Sequence, residues 1–127
     1  MGLFSKLFSK PASGPAPAAP PEHAVIVYLK LSDDEFGTEA ERNAIHALTD
    51  QLAAAIASQH AGEFDGDEFG AGACGLYMYG PDADRLFAAI EPILRGHRLA
   101  AGAYAIKRYG PAGDPNALTV RIDFAAE

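Results

Sequence analysis

Four carboxylates and four glycines lie within eleven residues, in the stretch GEFDGDEFGAG at positions 62–72. Carboxylate oxygens are the ligands that calcium prefers, and Glu63, Asp65 and Asp67 have the 1-3-5 spacing that opens an EF-hand loop. The glycine position of that loop holds Glu68, however, and its last ligand position holds Cys74. Strand alternation would also place the first three carboxylates on one face. The pattern excludes an EF-hand and leaves a looser cation site as an alternative.

Residues that could carry out catalysis show no comparable pattern. The four histidines are dispersed, without a second histidine at metal-ligating spacing, and the sequence supplies no identifiable base for the single cysteine, Cys74. One cysteine excludes an internal disulfide, as is typical of a reducing compartment. We therefore expect a non-catalytic protein without a cofactor, and a small enzyme of unidentified class is the alternative.

Hydrophobic periodicity predicts the elements that must position these side chains. Two segments, 38–59 and 80–96, have the apolar spacing of amphipathic helices, and Thr38 and Glu41 form a capping box at the start of the first. Alternating apolar residues predict strands. The strand segments are AVIVYLKL, the acidic stretch, CGLYMYG, AYAIKRY and LTVRIDF.

The order β-α-β-β-α-β-β predicts an α+β protein. It is the order of a ferredoxin-like βαββαβ sandwich with an extra C-terminal strand. Right-handed crossovers place both helices on one face of an antiparallel sheet. We expect the sheet order 2-3-1-4, with the fifth strand beside the fourth.

This topology gathers three loops at one end of the sheet: the loop after the first strand, the acidic hairpin and the loop after the second helix. The carboxylates that would ligate a divalent cation there are Asp33, Asp34, Glu35, Asp65, Asp67 and Glu68. The same end receives Arg95, His97 and Arg98, so we expect salt bridges within the chain instead of a metal site. A binding edge for a basic partner is a third interpretation.

The sheet face opposite the helices is predicted to carry aromatic and basic side chains. They are Tyr28, Lys30, Tyr77, Tyr79 and Arg121, whereas the pattern of the fourth strand fits either orientation. Nucleic-acid binding is disfavoured, because residues 23–127 have 16 acidic and 8 basic side chains and a net charge of −8. Tyrosines are typical of protein interfaces. We expect a homodimer or a protein partner on this face; a solvated face is the alternative.

The chain is predicted to divide into an amphipathic N-terminal tag (1–10), a Pro/Ala-rich linker (11–22) and one domain (23–127). Apolar and cationic residues at helical spacing in the tag suggest weak docking on a membrane surface or in a partner groove. The alternative is a frayed terminus. No stretch has the apolar region of a signal peptide or a bilayer span. We expect a cytoplasmic protein, located at the inner membrane face if the tag docks there.

Two motifs within residues 60–111 support a resemblance. The stretch DGDEFGAG followed by YGPDADRL resembles a family of small, uncharacterised bacterial proteins that share DGxExGxG and YGPDADxL. The resemblance implies a bacterial cytosolic setting. The sequence thus predicts a non-catalytic binding or regulatory module that acts through protein–protein contact. The alternatives are a small-ligand or divalent-cation sensor that uses the acidic loops, and a small enzyme.

Overall fold

A computed structural model describes residues 22–125. The predicted tag and nearly all of the linker lie outside the described residues, so the predictions about them stay predictions. In the described part, no helix is both long enough and apolar enough to cross a bilayer.

All seven predicted elements are present, and a short 3-10 turn, Arg98–Ala100, precedes the fourth strand. Their bounds are β1 His23–Lys30, α1 Glu39–Ser58, β2 Glu63–Gly70, β3 Ala73–Gly80, α2 Ala83–Arg95, β4 Tyr104–Arg108 and β5 Thr119–Asp123.

The five strands form one antiparallel sheet in the order β2-β3-β1-β4-β5. This confirms the α+β class and the predicted strand order. The fifth strand extends the four-stranded ferredoxin-like order at one edge, where it follows β4 as a hairpin.

The core lies between the sheet and the two helices. The sheet contributes alternate residues, among them Val25, Val27 and Leu29 of β1, all at most 1% exposed. The apolar stripes of the helices meet them with Ile45, Leu48, Leu52 and Ile56 from α1 and with Leu86, Ile90 and Leu94 from α2. The apolar residues that recur every 2 residues in the strands and every 3.6 residues in the helices therefore meet in one core.

The helix starts are set by side-chain caps. Thr38 and Glu41 form the predicted capping box, and Glu41 also accepts a hydrogen bond of 2.8 Å from Ser32 Oγ in the preceding loop. These bonds, with that from the Thr38 backbone the strongest, hold the pKa of Glu41 below its usual value. In α2 the cap is Asp82, and Pro81 precedes the helix.

A substitution at the core residue Leu52 tests this packing. Leu52→Ala should lower the free energy of unfolding by about 2–5 kcal/mol, because the residue is completely buried and a cavity would remain. Gln51→Ala is the control: Gln51 is an exposed residue of the same helix, so we expect a change below about 0.5 kcal/mol. Urea denaturation of both variants measures the difference, and equal effects would contradict the assignment of Leu52 to the core.

Candidate functional site

A β-bulge interrupts the acidic strand. The register of β2 against β3 shifts between Phe64 and Gly66, which leaves Asp65 without an opposite residue in the ladder. Glu63 therefore lies opposite Tyr79 on the open face of the sheet, while Asp67 lies opposite Leu76 on the helix face. The prediction that Glu63, Asp65 and Asp67 share one face is wrong, because the extra residue reverses the alternation after it.

The carboxylates of the hairpin have partners other than those predicted. Asp67 Oδ2 lies 3.8 Å from His46 Nε2 of α1, and Glu68 accepts a hydrogen bond of 3.0 Å from the hydroxyl of Tyr77. Burial, followed by this bond to Glu68, raises the pKa of Tyr77 to about 12.

The predicted cations of that end do not meet the hairpin carboxylates. Arg95 pairs with Glu91 one turn earlier in α2, at 2.8 Å, and its guanidinium lies 5.0 Å from the ring centre of Phe124. Among residues 22–125, neither Arg95 nor Arg98 forms a salt bridge with Asp65, Asp67 or Glu68. Arg95 forms its ion pair within α2, because the carboxylate of Glu91, four residues earlier, is closer to it than the carboxylates of the hairpin.

The loop after β1 does reach the turn of the acidic hairpin. The N–H of Gly72 donates to the carbonyl of Glu35, and the N–H of Leu31 donates to the carbonyl of Gly72. Gly72 has φ of +79°, and a Cβ there would come within 3.0 Å of the carbonyl of Asp33. The Asp33 carboxylate accepts the N–H groups of Glu35 and Gly37.

This convergence occurs at the backbone and does not produce a ligand set. In the described part of the chain, no three carboxylate, histidine or cysteine side chains gather closely enough to hold a metal ion. Asp33 shapes its own loop, and Asp67 and Glu68 lie on opposite faces of the sheet.

Cys74 lies in the core. It is completely buried on β3, where it faces the helices with Leu76 and Met78. Burial, and secondarily the charge of Asp67, raises the pKa of the thiol to about 12. A thiol that remains protonated at neutral pH is a weak nucleophile.

The open face carries a stacked array of aromatic and basic side chains. The rings of Tyr28 and Tyr104 stack with centres 5.0 Å apart, and the guanidinium of Arg121 lies 3.8 Å from the centre of the Tyr104 ring. The register explains the array, because Tyr28 on β1 lies opposite Tyr104 on β4. Arg121 on β5 is also held by Asp123 at 2.9 Å.

The register also decides the orientation of β4, which the sequence left open. Tyr104, Ile106 and Arg108 share the open face, and Lys107 lies on the helix face opposite Val25. All five predicted interface residues lie on the open face, and Tyr104 is the central residue that the sequence did not assign. The two alternating sets of β4 residues each contain apolar and basic side chains. The period alone therefore could not show which set, and with it Tyr104, lies on the open face.

A shallow depression of about 300 Å³ lies at one end of this array. It is lined by Tyr28, Leu29, Lys30, Gly72, Ala73, Gly102, Tyr104 and Arg121. The charged side chains of its lining are both basic, Lys30 and Arg121, although the domain as a whole is acidic. The depression therefore has aromatic walls and two cations, of which Arg121 is paired with Asp123 and Lys30 forms no salt bridge within residues 22–125.

A second polar cluster joins α2 to β4 on the helix face. Asp84 accepts hydrogen bonds from Lys107 at 2.8 Å and from the Tyr109 hydroxyl at 2.6 Å. His23 Nδ1 accepts the N–H of Ala83 at the start of α2. The hydrogen bond from Lys107, followed by that from Tyr109, holds the pKa of Asp84 below its usual value. The cluster fixes the start of α2 to the sheet.

Comparison with known proteins found no family model, no curated protein and no solved structure that matches the chain. The motif resemblance therefore stays a prediction, and a functional proposal depends on the geometry described above.

The Asp84 cluster should make a pH-dependent contribution to stability. Asp84→Asn should lower the melting temperature at neutral pH, because ionised Asp84 accepts both bonds more strongly than an amide does. The folded-state pKa is depressed, so this stabilisation is present above the ordinary aspartate pKa of about 4 and is lost as the pH falls through the folded-state value.

Melting curves between about pH 7 and about pH 3 should show the difference between wild type and variant narrowing as the pH falls. Asp50→Asn, at an exposed position of α1, is the matched control and should show no comparable effect at pH 7. A gap that stays constant across this range would contradict the assigned role of Asp84.

Proposed function

We propose that the protein is a non-catalytic binding module that acts through protein–protein contact on the open face of its sheet. The observation that carries the proposal is the stack of Tyr28, Tyr104 and Arg121 on the face that neither helix covers. Tyrosine and arginine are the residue types that dominate binding energy at protein interfaces.

Preorganisation supports this use of the face. Tyr104 is held between Tyr28 and Arg121, and Tyr77 is held by Glu68, so a partner would order few side chains on binding. Each rotamer-rich side chain that is already fixed saves about 0.5–1.5 kcal/mol of ordering cost. The tyrosines also combine apolar rings with polar hydroxyls, which suits residues that are exposed to solvent in the free protein and buried in a complex.

The charge of the depression indicates the chemistry of the partner. Asp123 already holds Arg121, which leaves Lys30 as the cation of the lining without a salt bridge in the described residues, so an acidic segment of another protein complements the depression better than a basic one. The segment would place an aspartate or glutamate near the two cations and an apolar side chain against the tyrosine rings. A second copy of the chain on this face is the other occupant that the experiment distinguishes.

The non-catalytic part of the proposal rests on Cys74. Its thiol is buried and has a pKa of about 12, so it is unsuited to nucleophilic chemistry at neutral pH. The histidines His23 and His97 accept backbone N–H groups of Ala83 and Leu99 through Nδ1, a structural use of the ring.

Selection from a displayed library of random peptides, with the full chain as bait, tests the proposal. We expect enrichment of peptides that combine Asp or Glu with an aromatic or aliphatic residue, and affinity that falls with added salt. Tyr28→Ala and Lys30→Glu should each weaken binding of a selected peptide roughly tenfold or more. NMR chemical shift changes on binding should fall on β1, β4 and β5.

Arg98→Glu is the matched control for the charge change, since Arg98 is an exposed residue of the 3-10 turn that does not line the depression. It should bind as wild type does. Selection of peptides without acidic residues, or equal losses in the Lys30 and Arg98 variants, would overturn the proposed partner chemistry. Loss of self-association in the Tyr28 variant would instead identify a second copy as the occupant.

A further inference from the structure

The two edges of the sheet differ in their protection against pairing with another strand. The β2 edge contains the bulge at Asp65 and the exposed carboxylates of Glu63 and Glu68. Bulges and charge are two devices that block edge pairing. The β5 edge is paired with β4 in unbroken register and has neither a bulge nor a proline.

The hydrogen bonds of β5 show which of its backbone groups point outward. The N–H of Tyr109 donates to the carbonyl of Leu118, and the N–H of Phe124 donates to the carbonyl of Ala103. Hydrogen-bonded residues alternate along an antiparallel strand, so Val120 and Ile122 also bond to β4. The backbone groups of Thr119, Arg121 and Asp123 therefore face away from the sheet, and no strand within residues 22–125 pairs with them.

The side chains at this edge are also incompletely covered. Val120 and Leu118 alternate with the outward residues and are 38% and 65% exposed. They lie on the helix side of the sheet, where Ile122 is partly buried against the core. A strand added to this edge would satisfy the backbone groups and cover part of this apolar surface.

We propose that the occupant is a second copy of the chain, with β5 of the two copies paired antiparallel about a two-fold axis at Ile122. This register places Arg121 opposite the partner's Asp123, and the symmetry repeats the pair. The outward backbone groups of Arg121 and Asp123 then form the hydrogen-bonded pairs of the new ladder.

Neighbouring registers lack this charge complementarity. A two-fold axis at Arg121 would place the two Arg121 side chains opposite each other, and an axis at Asp123 would do the same for the aspartates. Like charges directly opposite are destabilising in an antiparallel pair. An axis at Val120 would place Arg121 opposite the partner's Thr119, without an ion pair. The charges of β5 thus select one register, and a self-complementary strand is what an isologous dimer requires.

The dimer would contain one continuous ten-stranded sheet and would leave both open faces uncovered. The depressions lined by Arg121 would lie on the same side of the sheet, flanking the axis. The dimer and the proposed function share Arg121, but the dimer is held by the outward backbone groups of β5, whereas the proposed function uses the side chains of the open face.

Cysteine crosslinking in the full chain tests the register directly. In the proposed pairing, the two Ile122 residues form a non-hydrogen-bonded pair with Cα atoms about 4.5 Å apart, which is within disulfide range. Ile122→Cys should form a disulfide-linked dimer under mild oxidation. Val120→Cys is the matched control, since its two copies would be about 13 Å apart along the strands. Wild-type Cys74 is completely buried and should contribute no crosslink.

A charge-reversal series, followed by sedimentation equilibrium, tests the ion pairs. Arg121→Asp and Asp123→Arg should each raise the dimer dissociation constant roughly tenfold, and the double variant should restore it. Arg121→Pro should abolish dimerisation, because proline lacks the outward N–H that would bond to the second copy. The fold should be retained, because that N–H makes no hydrogen bond to β4. Glu63→Lys, at the other edge, should dimerise as wild type does. Melting curves establish that each variant is folded.

Three results would overturn the inference: monomers alone at the highest soluble concentration, equal crosslinking of the Ile122 and Val120 variants, or a double variant as weak as the single ones. Loss of the dimer in Tyr28→Ala with retention in Arg121→Pro would assign association to the open face instead. Peptide binding by a monomeric wild-type chain would leave the proposed function intact while removing the β5 dimer.

Discussion

The burial of alternate residues of β1 is the constraint on which the rest of the structure depends. β1 is the central strand and is hydrogen-bonded to β3 on one side and to β4 on the other. Because Val25, Val27 and Leu29 must face the helices, Tyr28 and Lys30 must face away from them. The register of β3 and β4 with β1 determines which of their side chains point toward the helices. One set of buried side chains on β1 thus determines both the core and the composition of the opposite face.

Two helices do not suffice to cover a five-stranded sheet. Their apolar stripes cover the centre of one face, where the core cluster lies, and leave Val120 and Leu118 at the β5 edge partly exposed. The opposite face has no helix in the described part of the chain. Its tyrosines and arginine cover one another instead, with rings and guanidinium in contact. The open face and the β5 edge are thus both left uncovered because two helices pack on five strands.

Charge is distributed unevenly over this acidic domain. The carboxylates of β2 lie at one edge of the sheet, while Lys30 and Arg121 line the depression toward the other side. Exposed ion pairs contribute little to stability, so this separation matters more for the choice of partner than for the fold. The ion pair between Asp84 and Lys107 has a different part, because it fixes the start of α2 to β4.

Local pattern in the sequence determined the seven elements, their order, the capping box at Thr38 and the five residues assigned to the open face, because the period of apolar residues reports which side chains must be buried. Only the tertiary structure decided the position of the bulge at Asp65, the facing of β4 and the partners of Asp67 and Arg95. These features depend on the register between strands distant in sequence and on which polar side chain lies nearest in space. A bulge needs only one extra residue, and the glycine beside Asp65 does not by itself distinguish a bulge from a regular strand.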